Sequence, residues 1–422
     1  MRCELKLVEI ELQNFRLFEH IKVQFDDKLT VLISENGAGK TAFLEGIAKA
    51  LTILTHKITT ITPYWGDDYN FLYQTSDIRF GQKEANTNIT VQVLENNVIN
   101  EPPMIWEILQ VRRAIVTGDI GGVRMEKLVK DIQESEKQDN LMSLPVIVYF
   151  STERALISNK DKSDYDTDVE IFNTYDNALS GNTLNFKWFL EWFIWKEDNA
   201  ETSQLLLKSI KEAIFGLLND ENNHFRDIYS DRSRKKDYRL ILEKNNGEQI
   251  EANQLSSGQK SLFVLVSDLA RRLSLANPLS KNPLQDGQGI VLIDEIDLHL
   301  HPRWQRKVIG KLQTIFPKIQ WVITTHSPQV LMNVKRENVK VLDNGQLTDA
   351  PFVEGRDANA LSTDVFGLTK RLPQYEQFLD KIYDLIDKGQ VKQAETAIAS
   401  LKQKWGEADL DLHRAESFLE IL

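Results

Sequence analysis

The N-terminal part of the chain contains three short runs with strand-like patterns of apolar and polar positions. Apolar side chains recur along residues 5–12, and residues 21–25 alternate strictly between apolar and polar types. The third run, residues 28–34, is almost continuously apolar and rich in β-branched residues, as in a strand buried on both faces of an α/β sheet. We predict two antiparallel strands followed by a central strand.

A helical pattern follows the third run after a glycine-rich stretch. Apolar residues repeat at helical spacing along residues 44–54, and a second helix is predicted from about Gly258 to Leu275. Two further apolar strands, at residues 289–295 and 319–326, complete the predicted sheet. The alternation of apolar strands with amphipathic helices predicts the α/β class.

The middle of the chain, residues 101–250, has a less regular pattern and is predicted to be a mainly helical insertion. It contains an apolar strand at residues 144–150 and ends in a β-hairpin with Asn246 and Gly247 at the turn. One short helical stretch in it is crowded with aromatic side chains, which favours buried core over a partner interface. These aromatic residues are Phe186, Trp188, Phe189, Trp192, Phe193 and Trp195. Residues 366–422 have amphipathic spacing and predict a helical hairpin followed by a third helix.

Composition narrows the class of protein. The chain has 422 residues, of which 41% are hydrophobic, enough for one large or two modest domains with a buried core. The net charge of -11 argues against binding nucleic acid by bulk attraction and leaves only a local basic face for such contacts. Cys3 is the single cysteine, so no internal disulfide can form. With no signal peptide and no apolar run of membrane-spanning length, we expect a cytoplasmic protein without a membrane partner.

The stretch from Ser34 to Thr41 fits a phosphate-binding loop between a strand and a helix, with Ser34 in place of the first glycine. Glycines in this loop let backbone N–H groups point at phosphate oxygens. Lys40 would reach the β- and γ-phosphates of ATP, and Thr41 would hold Mg²⁺. The alternative is a plain glycine-rich turn with an exposed lysine. The residues of this stretch expected to contact ATP are Gly37, Ala38, Gly39, Lys40, Thr41 and Ala42.

A buried strand delivers two adjacent carboxylates, Asp294 and Glu295, to its carboxyl end, where open α/β sheets bind ligands. Asp294 would orient the metal ion, Mg²⁺, through a water molecule. Glu295 would polarise the water that attacks the γ-phosphate, because in-line phosphoryl transfer depends on a positioned nucleophile. The alternative for Glu295 is a helix-capping carboxylate.

The stretch Leu255–Gln259 resembles the LSGGQ signature of ABC ATPases, with Ser257 in place of one glycine. In that family the signature lies at a helix N-terminus and contacts the γ-phosphate held by the opposite subunit, which implies a head-to-tail dimer. A hydroxyl and a backbone N–H at this position can bind such an anion. An ordinary Ser-Gly helix cap is the alternative. The resemblance implies nucleotide contacts by Ser256, Ser257, Gly258 and Gln259.

Two further motifs follow in the order found in ABC ATPases. The stretch Asp297–Pro302 resembles the D-loop, which implies a nucleotide contact by Asp297. The stretch Thr324–Ser327 resembles the histidine switch, and His326, which follows a buried strand, would donate to the γ-phosphate. The expected catalytic residues are then Lys40, Glu295 and His326.

The triplet Asn14–Arg16 and the distance of more than 200 residues between phosphate loop and signature are similar to the SMC and RecF-like branch rather than to transporters. By this resemblance, Arg16 and Asn36 match positions that contact nucleotide phosphates. The alternative for Arg16 is a surface salt bridge. The insertion lacks sustained heptads, so a long SMC coiled coil is not expected.

A resemblance over nearly the whole chain rests on residues 144–156, 175–192, 289–305 and 324–331. It is similar to the bacterial stand-alone AAA/ABC-hybrid ATPases known as virulence-associated ATP-binding proteins. Their relatives include PtuA, the ATPase subunit of Septu anti-phage systems, which works with an HNH nuclease. The resemblance implies an ABC-type P-loop NTPase head with an N-terminal antiparallel β portion, a mainly helical insertion and a C-terminal helical segment.

The implied organisation has four parts. Residues 1–100 form ATPase lobe I with the phosphate-binding loop, and residues 101–250 form the insertion that ends in a β-hairpin. Residues 251–365 form ATPase lobe II with the signature, the Walker B carboxylates, the D-loop and the histidine switch. Residues 366–422 form the C-terminal helical segment.

The expected function is that of a slow ATPase, with ATP and Mg²⁺ bound, that regulates an HNH nuclease in bacterial anti-phage defence. It would work as a homodimer or a higher even-numbered homo-oligomer. The alternative is a RecF-like DNA-binding repair ATPase, in which the basic run at residues 232–236 meets phosphates. A nuclease of the OLD kind would need a carboxylate-rich Toprim domain after the histidine switch, where the pattern is helical instead.

Overall fold

The computed structural model describes residues 3–35, 37–59, 72, 74–95, 102–111, 114–119, 124–137, 142–155, 171–181, 186–220, 224–233, 238–368 and 371–421. The chain divides into two compact units, Met1–Arg356 and Asp357–Leu422.

The described residues of the first unit form three β-sheets. Their strands are β1 (Cys3–Phe15), β2 (Phe18–Gln24), β3 (Leu29–Ile33), β4 (Glu84–Glu95), β5 (Met104–Val111), β6 (Ala114–Asp119), β7 (Val146–Phe150), β8 (Phe225–Asp231), β9 (Arg239–Lys244), β10 (Gln249–Glu251), β11 (Gly289–Ile293), β12 (Ile319–Thr325), β13 (Val339–Asp343) and β14 (Gln346–Asp349).

Helices occur in both units. They are α1 (Lys40–Thr59), α2 (Arg124–Lys137), α3 (Phe186–Asp198), α4 (Ala200–Leu218), α5 (Ser257–Ala276), α6 (Pro283–Asp286), α7 (Pro302–Gln305), α8 (Val308–Ile315), α9 (Pro328–Leu331), α10 (Ala358–Asp364), α11 (Pro373–Asp387), α12 (Val391–Trp405) and α13 (Leu410–Ile421). None of these helices is both long and apolar enough to cross a bilayer.

The central sheet has six strands in the order β14-β13-β3-β12-β11-β7, and its neighbours are parallel except for the β13–β14 pair. β3, β7, β11 and β12 are buried along their whole length, as continuous apolar runs predict. Ile293 at the end of β11 pairs with Phe150 of β7 and with Ile323 of β12, and Thr325 pairs with Ile33 of β3. The carboxyl ends of these four strands therefore meet at one edge. The predicted α/β class is confirmed.

A second sheet holds the helix that follows the phosphate loop. It is antiparallel, has the strand order β2-β1-β4-β5-β6, and includes the predicted opening pair of strands. α1 contacts β1 and β4 of this sheet and also β7 and β11 of the central sheet. Trp106 on β5 donates its indole N–H to the carbonyl of Ala50 on α1 at 3.0 Å. Because α1 is packed between two sheets, its position relative to β3 is fixed.

Residues 101–250 contain more strand than the mainly helical insertion predicted from the sequence. β5 and β6 open this range and extend the antiparallel sheet, and β7 is an edge strand of the central sheet. Burial alternates residue by residue along β5, and this period of two is the signature of a strand with one buried face. The range also contributes α2, α3 and α4, and the predicted hairpin forms between β9 and β10 with Gly247 in a left-handed turn conformation (φ 85°).

The aromatic stretch forms α3 and packs against α5. Its buried aromatic side chains are Phe189, Trp192 and Phe193, so the expectation of buried core is confirmed for these three. The Phe189 ring centre lies 6.1 Å from that of Phe263 on α5, with the two rings nearly perpendicular. Trp195 is exposed, and the side chain of Trp188 lies outside the described residues.

The C-terminal unit is helical, and its last three helices pack on one another around an apolar core. α11, α12 and α13 are in mutual contact, as the amphipathic spacing of the sequence predicted. The buried core residues of this unit are Ile382, Ile386, Ala394, Ile398, Leu401, Leu412 and Ala415. Arg371 lies with its guanidinium 4.4 Å from the centre of the Trp405 ring and donates to the carboxylates of Asp409 and Asp411.

Candidate nucleotide site

The turn from β3 into α1 is built on two glycines with left-handed backbones. Gly37 and Gly39 have φ angles of 81° and 97°, a region that glycine adopts without steric strain. A Cβ atom on Gly39 would lie 2.4 Å from Cδ2 of Leu17. The turn between β1 and β2 therefore packs closely on the phosphate loop, and the left-handed backbone at residue 39 favours glycine.

Lys40 is buried, with its ammonium on the inner side of the loop. Its Nζ donates to the carbonyl oxygens of Ser34 and Glu35 at 3.2 and 3.3 Å, and to Ser34 Oγ at 2.6 Å. Burial lowers the pKa of Lys40 to about 8, although the carboxylates of Glu295 and Asp294 act in the opposite direction. The serine that replaces the first glycine of the pattern thus supplies an acceptor for the lysine.

The Asp294 carboxylate joins the phosphate loop to β12. It is fully buried and accepts hydrogen bonds from Thr41 Oγ1 at 2.7 Å and from Thr324 Oγ1 at 2.6 Å. A hydroxyl and a carboxylate side by side supply the oxygen ligands that Mg²⁺ prefers. Thr41 and Asp294 therefore fit the metal site that the sequence assigns to them.

Glu295 has a left-handed backbone, with φ of 46°, which is strained for a residue other than glycine. Its N–H donates to Thr324 Oγ1 at 2.8 Å, and its carbonyl accepts from the Leu298 N–H at 2.9 Å. Burial raises the pKa of Glu295, and the neighbouring carboxylates of Asp294 and Asp297 raise it further. A raised pKa makes this carboxylate a better proton acceptor, as a residue that polarises water requires.

His326 lies between Lys40 and Glu295. Its Nε2 is 3.8 Å from Glu295 Oε1, and its Nδ1 is 3.4 Å from Lys40 Nζ. Burial lowers the pKa of His326, and the Lys40 cation lowers it further, so the imidazole is neutral at pH 7. Because an ammonium only donates, Lys40 can bind Nδ1 in the tautomer that carries the ring proton on Nε2. This tautomer can donate to a phosphate oxygen.

Asp297 binds the histidine loop of its own subunit. Its Oδ1 accepts from the Thr325 hydroxyl and from the backbone N–H of His326 at 3.3 Å. These hydrogen bonds fix the start of the loop that carries the imidazole. The nucleotide contact that the resemblance implies for Asp297 stays a prediction.

The signature begins α5 with a reciprocal cap. Ser256 Oγ accepts from the Gln259 N–H at 3.3 Å, and Gln259 Oε1 accepts from the Ser256 N–H at 3.1 Å. A Cβ atom on Gly258 would lie 2.4 Å from the carbonyl oxygen of His299 in the D-loop. Ser257 is exposed in the first turn. The helix cap considered as the alternative is therefore present, and the signature also packs directly on the D-loop.

A cavity of about 1110 Å³ opens beside the signature. Gly258 and Gln259 line it, together with the basic side chains of Arg303, Lys307 and Lys311. The first turn of a helix and a set of cationic groups both favour a negatively charged ligand.

Arg16 forms ion pairs with two carboxylates of its own chain. Its Nε lies 2.9 Å from Oδ1 of the buried Asp77, and its guanidinium also pairs with Glu45. Arg16 thus has the salt-bridge contacts considered as its alternative, in a half-buried position. Its neighbour Leu17 packs on Gly39, so Arg16 lies close to the phosphate loop.

Other predicted contacts fall partly outside the described residues. Asn36 lies outside them, whereas Ala38 is partly exposed in the loop and Ala42 is buried in the first turn of α1. In the basic run considered for DNA contact, Arg232 pairs with the carboxylate of Asp198, and residues 234–236 are outside the described part of the chain.

Arg154 is a residue of the site that the sequence analysis missed. It follows β7, and its guanidinium donates to the backbone carbonyls of Asp294 and Glu295. One signal was available: β7 is an apolar parallel strand, so polar residues after it must lie near those after β11. Its particular partners depend on tertiary structure.

One edge of the central sheet brings together the phosphate loop, the paired carboxylates and the histidine. This is the arrangement of a nucleotide hydrolase. A family model described as "AAA domain, putative AbiEii toxin, Type IV TA system" matches residues 112–333, which is more than half of the chain. The chain belongs to this family of AAA ATPases. A second model, described as "AAA ATPase domain", matches residues 5–140.

Named relatives agree with this assignment. The AAA ATPase is 30% identical over 473 aligned positions to "Retron Ec83 probable ATPase" of Escherichia coli, covering 96% of this chain and 85% of the relative. It is 28% identical over 283 positions to "Septu protein PtuA" of Bacillus thuringiensis, covering 62% of this chain and 69% of the relative. The solved structure of an SMC head bound to the C-winged helix domain of ScpA is similar with a TM-score of 0.48 and 15% identity, covering 81% of this chain and 96% of that one. The predicted ATPase activity and the predicted relation to PtuA are confirmed.

Substitution of Gly258 by alanine is expected to lower ATP turnover by at least about tenfold, because the new Cβ must push the signature away from the D-loop carbonyl of His299. Binding of a fluorescent ATP analogue to the phosphate loop should persist. Gly310→Ala on α8 is the matched control, since nothing lies within 4 Å of its Cβ position, and it should keep parental turnover. Parental turnover in Gly258→Ala would contradict the assigned contact.

ATP affinity is expected to fall as the pH rises through about 8, where Lys40 loses its proton in the nucleotide-free protein. Below this pH the ammonium is charged and binds phosphate fully; above it, affinity should fall by up to about tenfold per pH unit. Calorimetry in two buffers of different ionisation enthalpy should show proton uptake on binding near pH 8. Lys40→Met should bind weakly without this uptake, and a parental affinity that is flat from pH 7 to 9 argues against the lowered pKa.

Proposed function

We propose that this AAA ATPase is an ATP-gated regulator that acts as a dimer. Two subunits bind two ATP molecules between them, and loss of the γ-phosphate loosens the pair and changes the state of a bound effector. One observation carries the proposal: a single chain presents a phosphate-binding half around Lys40 and Glu295, and a signature half that begins at Ser256 beside a cationic cavity.

The phosphate-binding half supplies the chemistry. Lys40 exchanges the carbonyl oxygens of the loop for β- and γ-phosphate oxygens. Thr41 and Asp294 hold Mg²⁺, which neutralises phosphate charge when bound. Glu295 polarises the attacking water, and the Nε2–H group of His326 donates a hydrogen bond to a γ-phosphate oxygen. The imidazole thereby distinguishes ATP from ADP.

The signature half binds the γ-phosphate held by the other subunit. The N-terminal turn of α5 offers the Ser256 hydroxyl and the Gly258 N–H to an anion, and Arg303 and Lys307 add positive charge in the neighbouring cavity. Because each subunit has one half of each kind, a two-fold pair completes both sites. We propose a homodimer or a higher even-numbered homo-oligomer on this basis.

We propose that the effector is an HNH nuclease in anti-phage defence. The resemblance to the Septu ATPases implies such a partner, and the 28% identity to the Septu protein PtuA supports that resemblance. Exposed aromatic side chains on the C-terminal unit offer a docking surface for the effector. These are Tyr375, Phe378 and Phe418.

Glu295→Gln is expected to bind ATP and to reduce turnover at least about a hundredfold, because the amide cannot accept the proton of the attacking water. Light scattering should then show a doubling of mass on addition of ATP and Mg²⁺. Glu337→Gln, which alters an exposed carboxylate near Lys335, is the control and should behave as the parent. Undiminished hydrolysis by Glu295→Gln rejects the assigned base, and a non-hydrolysing variant that stays monomeric with ATP rejects the dimer.

The second test concerns the effector. The ATPase should co-purify with an HNH nuclease encoded by the neighbouring reading frame, and plasmid cleavage by this complex should depend on nucleotide state. Between the ATP-trapped Glu295→Gln complex and the parental complex with ADP, we expect cleavage rates that differ by about fivefold or more. Equal rates in both states, or a neighbouring gene without a nuclease, would count against the proposed partner.

A further inference from the structure

Arg154 lies at the junction of three elements and is almost completely buried. It follows β7, and its side chain reaches the end of β11 and the second turn of α5. Only 2% of its surface is exposed. Burial lowers the pKa of Arg154 to about 10, while the nearby carboxylates of Asp294 and Asp297 act to raise it, so the guanidinium is charged at neutral pH.

The two terminal nitrogens of Arg154 bind the backbone of the paired carboxylates. Nη1 donates to the carbonyl of Asp294 at 2.5 Å, and Nη2 donates to the carbonyl of Glu295 at 2.6 Å. The planar guanidinium fixes the directions of both bonds. Glu295 has a left-handed backbone, a conformation that persists only where surrounding contacts enforce it. The pair of hydrogen bonds from Nη1 and Nη2, called here the Arg154 fork, is one such contact. It helps to set the direction in which the Glu295 carboxylate leaves the main chain.

The third nitrogen of Arg154 binds the signature helix. Nε donates to Ser261 Oγ at 2.9 Å, and both groups are buried. Ser261 lies one and a half turns after Ser256, the cap of α5. One rigid group therefore connects the helix that carries the signature with the backbone that carries the proposed base.

We propose that Arg154 is a positioning residue that couples the signature helix to Glu295 of the same subunit. Contact of the signature with the partner subunit's nucleotide moves or steadies α5, and Ser261 passes this through Arg154 to the Glu295 backbone. Hydrolysis in one site then depends on engagement of the other. This inference rests on the proposed dimer with shared sites.

A second buried arginine on α5 provides the matched control. Arg272 is equally buried, but it donates to the Asp268 carboxylate at 2.6 Å and to the carbonyls of Thr174 and Asp176. It holds α5 to a neighbouring segment and lies four turns beyond the signature. Replacing Arg272 by lysine removes these guanidinium hydrogen bonds and so tests the effect of weakened packing around the same helix.

The experiment compares Arg154→Lys, Ser261→Ala and Arg272→Lys with the parent. Turnover, ATP affinity and melting temperature are measured for each, and ATP-dependent dimerisation is measured by light scattering with Glu295→Gln added to each variant. Arg154→Lys keeps the positive charge and loses the fork; we expect kcat to fall by about tenfold or more, as for other residues that orient a reactive group. ATP affinity should change by less than about twofold and dimers should form, since a positioning role lowers kcat alone.

Ser261→Ala keeps the fork on the Asp294 and Glu295 carbonyls but removes the link to α5. We expect kcat to fall severalfold, with ATP binding and dimerisation unchanged. Arg272→Lys is expected to lower the melting temperature and to keep parental kcat below it.

Three results would overturn the inference. Parental kcat in Arg154→Lys removes the positioning role. Parental kcat in Ser261→Ala removes the coupling to the helix. Loss of kcat and ATP affinity together, matched by Arg272→Lys, shows a purely structural role. In all three cases, the proposed function stands if the parent forms dimers on addition of ATP. If the parent hydrolyses ATP without ever forming dimers, both the proposed function and the Arg154 inference are rejected.

Discussion

The buried carboxylate of Asp294 is the interaction on which the rest of the site depends. A charge without exposure to water is strongly unfavourable unless hydrogen bonds and an opposite charge compensate it. Here Thr41 on α1 and Thr324 on β12 donate to its two oxygens, and the Arg154 cation lies against its backbone. Because Thr41 and Thr324 belong to different elements, satisfying this one carboxylate fixes the phosphate loop relative to β12. Arg154 ties the segment after β7 to the same residue through its backbone carbonyl.

The ionisable groups around Asp294 hold one another in states suited to nucleotide chemistry. Burial is the largest cause of each shift: it lowers the pKa of Lys40 and His326 and raises that of Glu295. As a result, the Lys40 ammonium has a pKa of about 8, the His326 imidazole is neutral and the Glu295 carboxylate is more basic. A triphosphate brings negative charge to the same edge and favours the protonated lysine. Nucleotide binding therefore alters the protonation of Lys40 as well as its contacts.

The sequence predicted those parts of the site whose chemistry is contiguous along the chain. The phosphate loop, the carboxylate pair at Asp294 and the signature each occupy a few consecutive residues after or before a regular element, so residue types and spacing suffice. Contacts between distant residues were not accessible in this way: Arg16 with Asp77 and Arg154 with Ser261 are 61 and 107 residues apart. The strands β5 and β6 were missed for another reason. The half-exposed face of β5 carries Ile105, Leu109 and Val111 while its buried face includes Gln110, so the residue types do not alternate as the burial does.

The two serines that replace glycines have different physical consequences. Ser34 places its hydroxyl 2.6 Å from the Lys40 ammonium, so the loop gains an acceptor that phosphate must displace. Ser257 is the first residue of α5, where the backbone is helical and serine needs no left-handed conformation. The glycine that the signature cannot lose is Gly258, whose missing side chain lets the D-loop carbonyl approach. Both departures therefore leave the steric requirements of the site intact, and only Ser34 changes the competition for the lysine that binds ATP.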